Sequence, residues 1–408
     1  MKRAPPRLAN ILRSLTMFSA TVVLVFAYQN CTEFKADPNA ISKVISQGSS
    51  GAASADLVPR TDRLDSNCAS NSAFDACIFQ QNPVAMANGA QLSGTGTVRA
   101  TELNTRQTYG VKLTSLAGNG KLENATVKVT SINTPELNGV PNGLKTVYPL
   151  APNSSAFEQV MAYYWINRTS EYLDARLRGQ LPAKGKGVKV VVDDTITGYN
   201  PTSNTIHLRQ TSTSNVAWSG EILVHLFALA NLEHASSGAM RTKSATKNLT
   251  CPAPSLQCCS SVNGCAAALQ FGVGDYVAAI MFPNRPLIGE TLVNTGQAAT
   301  IAGFPRDMTQ LRNRTLLDAY NSSGTGGSAG DVGAMGLVYA NVWWEVRVAA
   351  GTNSHEVDQL FFEHLKLLNG DDDFRTALLK ISNADSRLFA GRYTNALVQE
   401  FQRRGLTP

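Results

Sequence analysis

The stretch "EILVHLFALA", Glu221 to Ala230, decides how this chain is read. From Ile222 to Leu232 it is apolar nearly all round, which predicts a helix buried on every side rather than one with a wet face. A single imidazole, His225, stands in its middle. Taken alone, His225 reads as a core histidine hydrogen-bonded to backbone or to a carboxylate. Glu221 lies one helical turn before it, and Glu233 and His234 close the segment.

Outward from this helix the pattern alternates. "GVKVVVDD" at 187–194 is a buried-strand candidate and "NTIHLRQ" at 204–210 a second. Before them, Phe157, Val160, Met161 and Tyr164 fall on one helical stripe that continues into "EYLDARL". After them, "AALQFGVGDYVAAIMF" is helical and apolar, with Gly272 and Gly274 weakening one end. "GTGGSAGD" reads as a loop leading into the helix "VYANVWWEVRVAAG". The last eighty or so residues read as all-helical: Val357, Leu360, Phe361, His364 and Leu368 form one stripe, Phe374, Leu378 and Ile381 the next, and Gly405 is a stop signal. His355 and His364 read as packing or surface residues. Asp193-Asp194 reads as a strand end and Asp371 to Asp373 as a helix N-terminal charge cluster.

Residues 77–150 differ in texture. Tyr109, Val111 and Leu113 share one face, "GNG" at 118–120 is a turn, and Val127 and Val129 follow, a period-2 pattern that predicts a β-rich domain of antiparallel strands. The expected fold class is α+β. A β-rich N-terminal domain is followed, over 151–408, by a domain with a small β/α lobe and a mainly helical C-terminal lobe.

The N-terminus carries Lys2, Arg3, Arg7 and Arg13 and then the apolar run "SLTMFSATVVLVFA", the layout of an export signal over residues 1–30. That run is about 14 residues, short for a bilayer span of ~20, so cleavage is the reading and an uncleaved anchor the alternative. Cys31, at the end of "YQNC", stands where a bacterial lipoprotein is lipidated, although Tyr28, Gln29 and Asn30 depart from the usual lipobox. Thr32 after it leans towards the outer membrane; a periplasmic or secreted form is the alternative. Residues 31–76, with "SQGSSGAASAD", read as a flexible tether.

Six cysteines remain: Cys68, Cys77, Cys251, Cys258, Cys259 and Cys265. An even number in an exported chain suggests disulfides, with Cys68–Cys77 the natural local pair. The Cys-rich insertion at 251–265 has no CxxC pair and no nearby His, which argues against a zinc knuckle. The formal charge of +6 falls to +2, with 32 basic residues against 30 acidic, once residues 1–30 are removed. Nothing there points to nucleic acid.

The order of these pieces resembles the thermolysin-like and fungalysin-like (gluzincin) zinc metallopeptidases over about Ala156 to Leu406, roughly three fifths of the chain. "RPLIGE" and "VWWEVR" add to the resemblance. In that family one helix supplies two zinc-binding His four residues apart and a Glu general base beside the first. Here His225 matches the first ligand, Leu226 stands at the base and Leu229 at the second ligand. The family's E-G-x-x-D segment is matched by "FGVGD": Phe271 replaces the ligand Glu, while Gly272 and Asp275, the carboxylate that supports a ligand His, remain. At the family's D-V-H segment, Asp331 and Val332 are kept and Gly333 replaces the oxyanion-stabilising His.

Leucine and phenylalanine offer zinc no lone pair, so the resemblance implies a pseudoenzyme with no catalytic residue, no metal and no cofactor. The expected role is non-catalytic binding of a peptide or protein in the cell envelope, with a lipid anchor in the membrane. The alternative is an active metal-dependent hydrolase with a relocated site, for instance around Glu221 and His225. No G-x-S-x-G elbow and no phosphate-binding glycine loop offers another chemistry.

Overall fold

The structure, a computed structural model, describes Cys68 and residues 75–90, 92, 96–142, 145–147, 152, 154–176, 187–210, 215–235, 262–290, 306–309, 315, 318–319 and 332–407. These fall in one compact unit. The expected signal at 1–30, Cys31, nearly all of the tether, Cys251, Cys258, Cys259, Asp331 and the "GTGGSAGD" loop lie outside the described residues.

In chain order the elements are β1 (Ala76–Ile78), α1 (Gly96–Thr105), β2 (Tyr109–Val111), β3 (Val127–Ser131), β4 (Val140–Asn142), β5 (Lys145–Val147), α2 (Ser155–Arg176), β6 (Val188–Asp194), β7 (Gly198–Asn200) and β8 (Thr205–Arg209). Then come α3 (Gly220–Ala235), α4 (Val262–Met281), β9 (Leu287–Ile288), β10 (Arg306–Asp307), α5 (Val332–Ala350), α6 (Ser354–Leu365), α7 (Phe374–Phe389) and α8 (Thr394–Arg403). The protein is α+β, with small sheets and a helical C-terminal part.

The largest sheet among the described residues has the order β3-β6-β8-β7, in which β3, β6 and β8 run parallel and β7 is antiparallel to β8. Helix α2 makes the crossover from β3 to β6, as parallel pairing requires. Its Phe157, Val160, Met161 and Ile166 are fully buried. Val127 and Val129 of β3 turn into the core while Lys128 between them is exposed, the alternation read from the sequence.

The β-rich segment differs from expectation in its pairing. The strand around Tyr109 does not pair with the one around Val127: β2 pairs with β1, and β3 joins β6 in the sheet of the following segment. A boundary at residue 150 therefore cuts through a hydrogen-bonded sheet and one shared hydrophobic core. Alternation shows which face of a strand is buried but says nothing about its neighbour. Helix α1 was also not anticipated. Cys68 and Cys77 form a disulfide with Cα atoms 5.8 Å apart, tying the chain before β1 to that strand.

Helix α3 is buried on nearly every side, with only Leu229, His234 and Ala235 reaching partial exposure. Its N-terminal Gly220 is required by packing, because a Cβ there would lie 2.6 Å from Trp165 Nε1. Helix α4 runs unbroken through Gly272 and Gly274, the two residues that weaken it on propensity. Both glycines serve close approach. A Cβ on Gly272 would meet the carbonyl oxygen of Gly336 in α5 at 2.5 Å, and a Cβ on Gly336 would meet that of Ala268 at the same distance. The two helices cross backbone against backbone.

Gly336→Ala is accordingly expected to cost about 2 kcal/mol or more. Overpacking of about 1–3 kcal/mol against unyielding backbone exceeds the gain of under about 1 kcal/mol in helix propensity. A urea midpoint equal to or above that of the wild type would contradict this crossing.

The C-terminal helices follow their stripes. Val357, Leu360, Phe361, His364 and Leu368 are all buried. Asp373 caps α7, its carboxylate accepting from Thr376 N at 2.7 Å within a capping box. After α8, Gly405 takes a left-handed φ of 68° and Leu406 N donates to Phe401 O at 2.9 Å, ending the helix as predicted. Among the described residues no helix is long and apolar enough to cross a membrane.

Candidate functional site

The packing of α3 against α4 brings His225 and Asp275 together. His225 Nδ1 lies 2.9 Å from Asp275 Oδ1. Helix periodicity on α4 places Asp275 one turn after Phe271, so both face α3. Gly274 makes the contact fit: a Cβ there would fall 2.5 Å from His225 Nδ1, so the imidazole lies flat on the backbone of α4. A third group completes the cluster. Arg306, carried by β10 and fixed by its register against Ile288 of β9, donates from Nη1 to Asp275 Oδ1 at 2.7 Å and to Oδ2 at 2.8 Å.

The three side chains are sealed from water, with exposures of 2% for His225, 0% for Asp275 and 1% for Arg306. Phe271 roofs them. Its ring centroid is 6.0 Å from that of His225, tilted by 45°, and the Arg306 guanidinium stands 5.3 Å over its face. A buried carboxylate is tolerable only when its charge is matched and its lone pairs are occupied, and Arg306 does both.

Of the residues singled out from the sequence, His225, Phe271 and Asp275 meet here. Leu226 is buried and Leu229 half-buried, both in the hydrophobic core. Gly333 is buried near the start of α5. Cys265 lies within α4, which starts at Val262 inside the stretch read as a Cys-rich insertion.

Leu226, Leu229 and Phe271 have hydrocarbon side chains, which offer a metal ion no lone pair. Among the described residues, no three His, Cys, Asp or Glu side chains converge as a metal-holding group. Glu221, the proposed partner of a relocated site, is instead held by Asn82, whose Nδ2 donates to Oε1 at 2.8 Å. Burial pushes its carboxyl up to about 8, the neighbouring Glu290 adds to the rise, and hydrogen bonds oppose it.

His364 is a core residue, stacked on Trp343 at 4.9 Å with Nε2 2.6 Å from the Tyr339 hydroxyl. Burial holds its imidazole down to about 3, so it packs as a neutral ring. His355 is exposed.

Arg306 escaped the sequence reading because it lies 31 residues beyond Asp275 and in no motif. A second cluster was also missed. Asp193 and Asp194, read as a strand end, sit with Ser131, Ser155, Glu158 and His207 where β3 and β6 finish. Only the doubled acid in "VVVDD" hinted at it.

Comparison with protein-family models and with curated protein sequences finds no match.

Proposed function

We propose that this chain is a metallopeptidase-like protein without metal or catalysis, exported, lipid-anchored at Cys31, and binding a peptide or protein in the cell envelope. The observation that supports the reading is the contact of His225 Nδ1 with Asp275 at 2.9 Å. In a zinc site that contact orients a ligand His through its second nitrogen. The pairing is kept here, and the other positions of the site are Leu226, Leu229 and Phe271. Retaining the support while losing the ligands is what a disused metal site leaves behind. Water near these side chains would keep its ordinary reluctance to ionise, without the large drop in pKa that a zinc ion imposes.

The test is the zinc content of purified protein together with casein cleavage with and without a chelator. The expected result is well below one zinc per chain, about a tenth or less, and no chelator-sensitive cleavage. Stoichiometric zinc with chelator-sensitive cleavage would establish the alternative, an active hydrolase with a relocated site. Fluorescent casein peptides then probe binding by anisotropy, with affinity expected in roughly the micromolar range. Labelled palmitate in growing cells tests the anchor. It should enter the wild type and not Cys31→Ala.

A further inference from the structure

Where β3 and β6 end, a buried acid pair holds an unusual piece of backbone. Asp193 is a non-glycine residue in the left-handed region, with φ of 60°, and the register between β6 and β8 breaks between Val191 and Asp194. Such a conformation costs roughly 1–2 kcal/mol and persists only when its surroundings impose it. Here the surroundings are specific. Ser131 Oγ and Ser155 Oγ donate to Asp193 Oδ2 at 2.5 and 2.7 Å, and Asn133 Nδ2 donates to the Asp193 carbonyl at 3.2 Å. One carboxylate thus ties β3, the first turn of α2 and the end of β6 together.

Its other oxygen faces Glu158 of α2. Glu158 and Asp193 are both buried, and Glu158 Oε2 and Asp193 Oδ1 make no further hydrogen bond within the described residues. Burial and the adjacent Asp193 push the Glu158 carboxyl well above the usual range, opposed by Asn215 and Trp218. A proton kept on Glu158 removes the repulsion between the two neighbouring acids and supplies a donor to face Asp193.

Charged groups nearby, among the described residues, are engaged elsewhere. Asp194 is occupied by His207 Nδ1 at 2.7 Å, Lys128 of β3 pairs with Glu123 at 3.4 Å, and Asn215 and Trp218 contribute neutral groups. On α3, which packs against α2, Glu221 is engaged with Asn82.

We propose that a proton on Glu158, donated towards Asp193, is a latch on the end of β6, and that losing this proton frees residues 193–200, the turn and edge strand β7. The carbonyl of Asp193 and the register break stand at the start of that segment, so repulsion at Asp193 acts directly on its path. Deprotonation would let Asp193 leave its left-handed conformation, and β7, which among the described residues pairs only with β8, would go with it.

The test is amide hydrogen exchange of 193–200 from about pH 6 to about pH 9, corrected for intrinsic rates. It is run on the full chain carrying Glu221→Gln, so that the other raised carboxyl does not titrate. Protection of 193–200 should fall by about tenfold or more while that of α5 holds. Adding Glu158→Gln, which cannot ionise yet can still donate to Asp193, should abolish the fall. Asp193→Asn, whose side chain tolerates a left-handed φ, should abolish it too and decides the matter if Glu158→Gln does not fold. No fall in the parent, or an equal fall in the folded variants, would overturn the latch.

Discussion

Arg306→Met should lower the stability of this protein by about 3–5 kcal/mol, because it leaves the Asp275 carboxylate buried without its cation. The expectation rests on complete burial of both groups and on the two hydrogen bonds from one guanidinium nitrogen. Adding Asp275→Asn to the same protein should recover much of the loss, since the amide carries no charge and can still meet His225. A urea titration of the wild type, the single variant and the double variant measures the coupling. A loss below about 1 kcal/mol for Arg306→Met would mean that the pair is wet, as surface ion pairs are. High salt should leave the effect largely intact, because buried charges are poorly screened.

The second large effect is on the alkaline side. Glu221 has a folded value of about 8 against an ordinary 4.5, so between these limits the folded chain holds a proton that the unfolded chain has released. Stability contributed by that proton is fully present below about pH 4.5 and is lost as pH rises through about 8, by roughly 3–5 kcal/mol in all. Glu221→Gln has the shape of the protonated acid and keeps the oxygen that accepts from Asn82. Wild type and variant should therefore match near about pH 4.5 and separate steadily above it, with the variant the more stable at about pH 8.5. Stability profiles that run parallel between about pH 5 and pH 9 would show that Glu221 ionises freely in the folded chain.

The second effect comes from α3 itself, the first from an ion pair packed against its His225. "EILVHLFALA" announced a buried helix with one imidazole in it, and burial of Ile222, Leu223, Val224, Leu226 and Phe227 agrees. That Asp275 would face His225 was implied by the resemblance of "FGVGD" to the E-G-x-x-D segment, whose Asp supports a His. Arg306 was not, since nothing local says which distant cation will neutralise a buried carboxylate. The acid pair was equally hidden. Glu158 and Asp193 are 35 residues apart, and only the parallel pairing of β3 with β6 across α2 brings them together.

What the sequence by itself determined is local: where apolar side chains recur every three or four residues a helix forms, where they alternate a strand forms, and leucine or phenylalanine side chains offer a metal no lone pair. These follow from backbone geometry and from the chemistry of single side chains. Tertiary structure alone decided which strands became neighbours, that α4 needed its glycines to reach His225 and Gly336, and how each buried charge was matched. Those outcomes depend on contacts between residues far apart in the chain, formed because a charge or a backbone surface sealed from water must find its partner within the same core.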